Sequence, residues 1–251
     1  MGNQFLTNIS IFSSKCTRIF LVFSIIFSFY TEGSAQCSCT DCRCSDSLAL
    51  VSLYDATNGA NWTNNTNWKV AGRTIDTWFG VTLANGRVIK LILIGNKLTG
   101  NLPPAVGNLS ELRQLALYDN LGLTGSLPST ISNLANLELL QIERCNFSGS
   151  IPNDIGRLRK LLWFHIFDNK FTDVIPNSIC DLTALQSLAF YGNSFNSTIP
   201  DSIGKLINLE FFYAANARLK GKIPESFANL RKLKKLHLFK LVISPISPYL
   251  N

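Results

Sequence analysis

Residues 137–158 read LELLQIERCNFSGSIPNDIGRL, and they show the pattern of the unit from which the chain is built. Leu140 and Ile142 alternate with Gln141 and Glu143, which predicts a short strand with its apolar side facing inward. Gly149 permits a bend that other residues resist. Pro152 fixes φ where no ladder donor is lost. The stretch therefore predicts one strand followed by a turn back on the opposite side.

The same pattern recurs on both sides of this stretch. Six of the nine prolines follow one another at gaps of 25, 24, 24, 24 and 24 residues, at Pro103, Pro128, Pro152, Pro176, Pro200 and Pro224. Complete units start at Val88, Leu112, Leu137, Leu161, Leu185 and Leu209, and a partial seventh starts at Leu233. A fixed period of this length predicts a solenoid, in which each unit buries its apolar face against its neighbours.

Asparagine recurs at one position of the repeat, at Asn96, Asn120, Asn169 and Asn193. We expect these side chains to turn inward and bond backbone groups that the tight bend leaves unpaired, because an unsatisfied buried group costs about 1–3 kcal/mol. Cys145 and Ala217 replace asparagine in the third and sixth units, and Leu241 replaces it in the seventh.

The pattern L-x-x-L-x-L-x-x-N-x-L-x-G-x-I-P-x-x-I-G-x-L covers residues 88–240 and resembles the plant-type leucine-rich repeat. That class occurs in receptor-like kinase ectodomains and in polygalacturonase inhibitors. The resemblance implies an α/β solenoid, a right-handed superhelix with a concave parallel β-sheet. It also implies receptor-like or inhibitor-like binding of a protein, peptide or oligosaccharide. We assign the repeats to residues 88–241.

Residues 46–87 have the features of an N-terminal cap. Asp46-Ser47 is predicted to start a helix, and the segment Trp78-Phe79-Gly80-Val81 precedes the first repeat. Plant caps are similar, but Thr77 and Thr82 stand where they carry cysteines. The cap more closely resembles those of bacterial and algal repeat proteins. We expect Trp62 and Trp68 to form its core rather than a platform for ligand.

Residues 1–35 are predicted to be a secretory signal. Lys15 and Arg18 precede a twelve-residue apolar run, and small residues follow up to Ala35. As a helix this run rises only about 18 Å, short of the ~30 Å hydrocarbon core. We therefore expect a secreted, extracellular or cell-surface protein with no membrane span after signal cleavage.

Cysteine usage agrees with export. Residues 36–45 hold four clustered cysteines, Cys37, Cys39, Cys42 and Cys44. Disulfides are the favoured interpretation in an oxidising compartment, and a tetrahedral thiolate metal site is the alternative. Cys145 and Cys180 occupy different positions of their repeats, so we expect two buried free thiols.

The outward-facing strand residues are predicted to form the ligand-binding surface. Three columns run across the strands, and they bring large aromatic and polar side chains onto adjacent turns. The candidate site residues are Tyr118, Gln141, Glu143, Trp163, His165, Phe167, Tyr191, Phe211 and Tyr213. Exposed aromatic patches mark interaction surfaces. The alternative is that these rings only pack against one another along the ladder.

Catalysis and nucleic-acid binding are not expected. The net charge is +7, but the only dense basic run is residues 231–235, which is insufficient for a phosphate-binding surface. An acid–base or metal site would need His165 beside Asp168 and Glu143, and the chain has two histidines in all. No nucleotide, nucleophile or metalloprotease motif occurs. We therefore predict no enzyme activity, no cofactor and no metal.

The C-terminal tail, residues 242–251, is apolar and includes Pro245 and Pro248. Solenoids normally end in a polar closing unit. Either the chain is truncated, as in a receptor ectodomain fragment, or this edge takes up a co-receptor or a second copy. A structural or adhesive surface protein is accordingly the alternative function.

Overall fold

The computed structural model describes residues 43–238, with side chains from residue 45 onward. The predicted signal, the cysteines at positions 37, 39 and 42 and the tail 242–251 lie outside the described residues. The chain divides into two units, 1–36 and 37–251, and every described residue belongs to the second.

Short strands alternate with 3-10 helices along the chain. The strands are β1 (Val81–Ala84), β2 (Arg87–Ile92), β3 (Thr99–Asn101), β4 (Gln114–Ala116), β5 (Gly122–Thr124), β6 (Leu139–Gln141), β7 (Ser148–Gly149), β8 (Trp163–His165), β9 (Lys170–Phe171), β10 (Ser187–Ala189), β11 (Phe211–Tyr213) and β12 (Lys235–His237). The helices are α1 (Arg43–Ala56) and the 3-10 helices Gly59–Asn61, Ile75–Thr77, Pro104–Asn108, Ser129–Asn133, Ile155–Arg157, Asn177–Asp181, Asp201–Lys205 and Glu225–Asn229.

One eight-stranded sheet runs the length of the repeats, in the order β1-β2-β4-β6-β8-β10-β11-β12. All its neighbours are parallel except β1 and β2. Equivalent residues of successive repeats pair directly; the first predicted column is Lys90, Gln114, Leu139, Trp163, Ser187, Phe211 and Lys235. The predicted solenoid, with its parallel sheet, is confirmed. We call the outward side of this sheet the concave face.

The inward side chains of the strands form one continuous core. Leu91, Leu115, Leu140, Phe164, Leu188 and Phe212 stand at the same inward position of successive strands, and each is fully buried. Behind them Phe147, Phe171 and Phe195 stack with ring centroids 6.4 and 6.3 Å apart. Each unit is thus covered by the next, as stacking of repeats requires.

The six periodic prolines mark where the chain turns on the side opposite the sheet. Each proline carbonyl accepts a hydrogen bond from the backbone nitrogen three residues later, at 3.0 or 3.1 Å; the donors are Val106, Ile131, Ile155, Ile179, Ile203 and Phe227. Such bonds are those of a 3-10 turn. The regular spacing of proline therefore sets one 3-10 turn per repeat, and α1 of the cap is the one α-helix among the described residues.

The N-terminal cap closes the first repeat. Trp62, Trp68 and Trp78 are buried, with Trp68 4.9 Å from Trp62 and 4.8 Å from Trp78 between ring centroids. The expectation that Trp62 and Trp68 form cap core is confirmed. Gly80 has φ +81°, and a Cβ there would lie 2.3 Å from the Ile92 carbonyl oxygen. Glycine thus lets the cap approach β2 closely.

The cap helix differs from its predicted start. It begins at Arg43, three residues before Asp46, and Asp46 is fully buried. The Asp46 carboxylate accepts hydrogen bonds from Arg87 and from the backbone nitrogen of Val88. Asp46 therefore ties α1 to β2, the first strand of the repeats.

Cys145 and Cys180 are both buried free thiols, as predicted. The Cys145 sulfur lies 3.4 Å from the Leu117 carbonyl oxygen and 3.5 Å from that of Glu143. Burial raises the pKa of Cys145 to about 12. This thiol consequently stays protonated and behaves as a small core residue.

Candidate ligand-binding face

Large aromatic side chains are concentrated on the C-terminal half of the concave face. We call them the aromatic band; its members are Tyr118, Trp163, Phe167, Tyr191, Phe211 and Tyr213. Trp163 and Phe211 lie in the first column, on either side of Ser187. Trp163 is 44% exposed, and the other five are half-buried. The structure therefore brings the predicted aromatic residues together on one surface.

The rings contact one another as well as solvent. Phe167 and Tyr191 stack with centroids 4.3 Å apart and planes 13° from parallel. Trp163 lies 5.7 Å from the His165 ring, and Phe211 lies 6.4 Å from Tyr213. These contacts hold the rings in place, and the exposed parts remain open to a partner. Packing between rings and binding are thus compatible here.

His165 does not form the acid–base group that its sequence neighbours suggested. Its Nε2 lies 2.8 Å from Ser187 Oγ, and its Nδ1 lies 3.5 Å from the Gln141 side-chain nitrogen. Burial lowers the pKa of His165 to about 4, so the ring is neutral at physiological pH. Gln141, itself a predicted site residue, is half-buried. His165 is therefore held by neutral polar partners on the neighbouring strands.

Glu143 differs from the exposed site residue that was expected. It is only 5% exposed, and its Oε2 atom has no hydrogen-bond partner. Burial is the main cause that raises its pKa from 4.5 to about 7. Arg144, the next residue in sequence, forms an exposed ion pair with Asp119 on the adjacent turn. The buried surroundings of Glu143 thus disfavour the ionised form of its carboxyl group.

We expect Glu143→Gln to remove a pH dependence of stability. Between pH 4.5 and about 7 the folded chain keeps a proton that the unfolded chain releases, so the free energy of unfolding falls as pH rises. At pH 8 the variant should be more stable than wild type by about 3 kcal/mol, the energy of the full shift. At pH 4 the Glu143 carboxyl is mostly protonated in the unfolded chain and fully protonated in the folded chain, so the two proteins should be about equally stable.

Urea denaturation of both proteins at several pH values measures this difference. Taking the difference between variant and wild type cancels the opposing effect of His165, whose lowered pKa reduces stability as pH falls from 6.5 to about 4. A difference that does not change with pH would show that Glu143 titrates normally.

The sequence did not predict a depression on this face. The depression has a volume of about 340 Å³ and is lined by His165, Phe167, Ala189, Tyr191, Tyr213, Ala215 and His237. We call it the Ala189 depression. Ala189 pairs with His165 on one side and with Tyr213 on the other. The available signal was a small residue flanked in register by two rings.

The C-terminal edge of the sheet exposes apolar surface. β12 pairs with β11, and no other described strand pairs with it. Leu236, which stands at the inward position of the strand, is 41% exposed.

None of the helices within residues 43–238 has the length and apolar character to cross a membrane.

Fold and face together define a leucine-rich-repeat solenoid. The chain belongs to the leucine-rich-repeat family, since the family profile "Leucine-rich repeat region" matches residues 83–240. Over 106 residues it is 34% identical to the LRR receptor-like serine/threonine-protein kinase EFR of Arabidopsis thaliana. That alignment covers 40% of this chain and 10% of the kinase.

Two solved structures show the same fold. The LRR ectodomain of the plant membrane receptor kinase GASSHO1/SCHENGEN3 from Arabidopsis thaliana, in complex with CASPARIAN STRIP INTEGRITY FACTOR 2, matches with a TM-score of 0.69 and 29% identity, over 75% of this chain and 23% of that chain. A plant ice-binding protein matches with a TM-score of 0.70 and 27% identity, over 79% of this chain and 72% of that chain. The chain spans about a tenth of the length of the curated relatives it matches.

Proposed function

We propose that this chain is a secreted or cell-surface leucine-rich-repeat protein that binds a peptide or protein through its aromatic band. The observation that carries the proposal is the placement of six partly exposed aromatic side chains on one outward face, three of them in the registered strands β8 and β11. The fold itself places no such demand on outward positions. Aromatic residues at such positions are typical of binding hot spots.

Binding is favoured over catalysis by the state of the polar groups on the face. His165 is neutral, and its ring nitrogens contact Ser187 and Gln141. Within residues 45–238 no group of three or more His, Cys, Asp or Glu side chains is arranged to hold a metal ion. We therefore assign receptor-like or inhibitor-like recognition, and no reaction, to this face.

The dimensions of the face favour a peptide or a protein loop. Seven parallel strands about 4.8 Å apart span roughly 30 Å, which an extended peptide of about nine residues matches. The similar GASSHO1/SCHENGEN3 ectodomain was solved with a partner factor bound. An oligosaccharide is the alternative ligand. An adhesive role, with assembly through the exposed edge at β12, is the alternative function.

The test is a selection of ligands on the intact protein. We expect wild type to enrich binders from a displayed library of random peptides about ten residues long, the span of the face. The double variant Trp163→Ala, Tyr213→Ala should lose at least about 100-fold in affinity for them, because two hot-spot rings are removed. Circular dichroism should be unchanged, since both side chains point outward.

A matched control removes exposed apolar surface elsewhere. Val174 and Ile207 are exposed and lie outside the strands of the sheet, so Val174→Ala, Ile207→Ala should bind like wild type. Equal binding by the aromatic double variant would remove the concave-face proposal. Self-assembly that ignores that variant would favour the adhesive role instead.

A further inference from the structure

The Ala189 depression is a place where the concave face lacks side-chain bulk. Ala189 and Ala215 occupy outward positions. The rings around them belong to His165 on β8, Tyr213 on β11 and His237 on β12, and to Phe167 and Tyr191 just after β8 and β10. Phe167 and Tyr191 are fixed against each other by stacking, and Tyr213 contacts the His237 ring at 5.0 Å between centroids. The walls are therefore held by contacts within the protein before any ligand arrives, which lowers the cost of ordering them on binding.

The size of the depression limits its occupant. Its volume of about 340 Å³ is at the lower end of the roughly 300–1,000 Å³ of small-molecule sites. This space suits one ring-bearing or branched side chain. A chain of several sugar rings would extend far beyond it.

The chemistry of the lining selects against charge. None of the seven lining residues is Asp, Glu, Lys or Arg, and His165 is neutral. The carboxyl and guanidinium groups that shift the pKa of Tyr191 belong to Asp168, Glu143 and Arg144, and all three lie outside the lining. A charged ligand group would lose its hydration here without gaining an Asp, Glu, Lys or Arg partner from the lining, which is costly.

A sugar ring is also a poor match. Its several hydroxyls need hydrogen-bond partners when they lose water. The lining offers the two tyrosine hydroxyls and the histidines, with no carboxylate or amide side chain. Aromatic walls with few polar groups instead match an apolar or aromatic side chain.

We propose that the Ala189 depression is the subsite that receives one uncharged apolar or aromatic side chain of a peptide ligand, with Ala215 leaving the room for it. This inference rests on the proposed function, because it names the part of the ligand that the aromatic band contacts. Specificity then comes from the shape and neutrality of the depression, and affinity from the rings around it.

The first experiment fills the depression without removing any ring. Ala215→Phe should weaken binding of the selected peptides about 30-fold, the loss typical of a blocked hot spot. The matched control is Ile94→Phe, which adds a ring at the equivalent outward position beyond β2, outside the lining, and it should bind like wild type. Equal binding by Ala215→Phe, with binding still lost in the Trp163/Tyr213 double variant, would overturn the subsite and leave the proposed function standing.

The second experiment needs no selected peptide, so it also decides the case if none is enriched. Four probes are titrated in turn while the His237 and Tyr213 ring resonances are followed by NMR. They are N-acetyl-phenylalaninamide, N-acetyl-lysinamide, the α-amide of N-acetyl-aspartate with its side-chain carboxylate free, and methyl glucoside. Only the phenylalanine probe should shift them, and Ala215→Phe should abolish the shift. Equal shifts with a charged probe or the glucoside, or no shift with any probe, would refute the assignment.

Discussion

Replacing Asn120 with alanine is expected to lower the free energy of unfolding by about 4 kcal/mol. Asn120 is fully buried. Its Oδ1 accepts hydrogen bonds from the backbone nitrogens of Asn96, at 2.9 Å, and Leu98, at 3.0 Å. Its Nδ2 donates to the carbonyl oxygens of Leu93, at 2.8 Å, and Leu117, at 2.7 Å. The same nitrogen also lies 3.4 Å from the Tyr118 carbonyl oxygen, so the side chain serves five backbone groups of two adjacent repeats.

The size of the effect follows from what the substitution leaves behind. Each buried backbone group without a partner costs about 1–3 kcal/mol, and water entering the vacated space restores some of them. Urea denaturation measures the loss, and amide hydrogen exchange at Leu98 should accelerate because its bond to Asn120 is gone.

The chain supplies its own control at the same ladder position. Cys145 makes only two long sulfur contacts, so Cys145→Ala should cost under about 1 kcal/mol by this mechanism. Ala217, in the sixth repeat, already lacks the hydrogen bonds and is buried. If Asn120→Ala and Cys145→Ala cost the same, the asparagine ladder contributes packing and not hydrogen bonds.

The asparagine ladder and the strand register were predictable because both are set by the repeat. Residues about 24 apart occupy the same place in successive turns, so the position of Leu140 predicts that of Phe164. The inward role of asparagine follows from needs that every turn shares. Spacing alone was thus enough to predict which outward residues pair across the sheet.

The burial of Glu143 was not predictable in the same way. Its column is outward-facing, and Tyr118 and Phe167 at the equivalent positions are partly exposed. Whether one member is covered depends on the sizes and rotamers of its neighbours, which the period does not specify. The Ala189 depression arises for the same reason, because a small residue matters only when its registered neighbours are large.

The contact between Asp46 and Arg87 was also not predictable from the repeat pattern, because the cap sequence occurs only once in the chain. The two residues are 41 positions apart, and the pattern of the cap indicated only a helix beginning at Asp46. A buried carboxylate needs a partner, and a search for the nearest arginine in sequence would have suggested Arg43 instead.

Replacing Asp46 with alanine should therefore detach the cap from the repeats, at a cost of about 3–5 kcal/mol. The Asp46 carboxylate accepts from Arg87 Nε at 3.0 Å and Nη2 at 2.9 Å, and from the Val88 backbone nitrogen at 2.8 Å. Without it, the Val88 nitrogen loses its acceptor and the Arg87 guanidinium loses two hydrogen bonds to a buried carboxylate. Both losses fall at the start of β2, on which the first repeat is built.

The control is a second ion pair of the same helix. Asp55 lies 2.8 Å from Lys69, but both side chains are exposed, so Asp55→Ala should cost under about 1 kcal/mol. Thermal unfolding is followed by tryptophan fluorescence in a Trp163→Phe background, so that the signal comes only from Trp62, Trp68 and Trp78, which are all buried in the cap. Equal losses in the two variants would mean that the buried pair does not hold the cap. A larger loss for Asp46→Ala, with the tryptophan signal changing before the far-ultraviolet circular dichroism of the repeats, would show that the cap separates from the solenoid first.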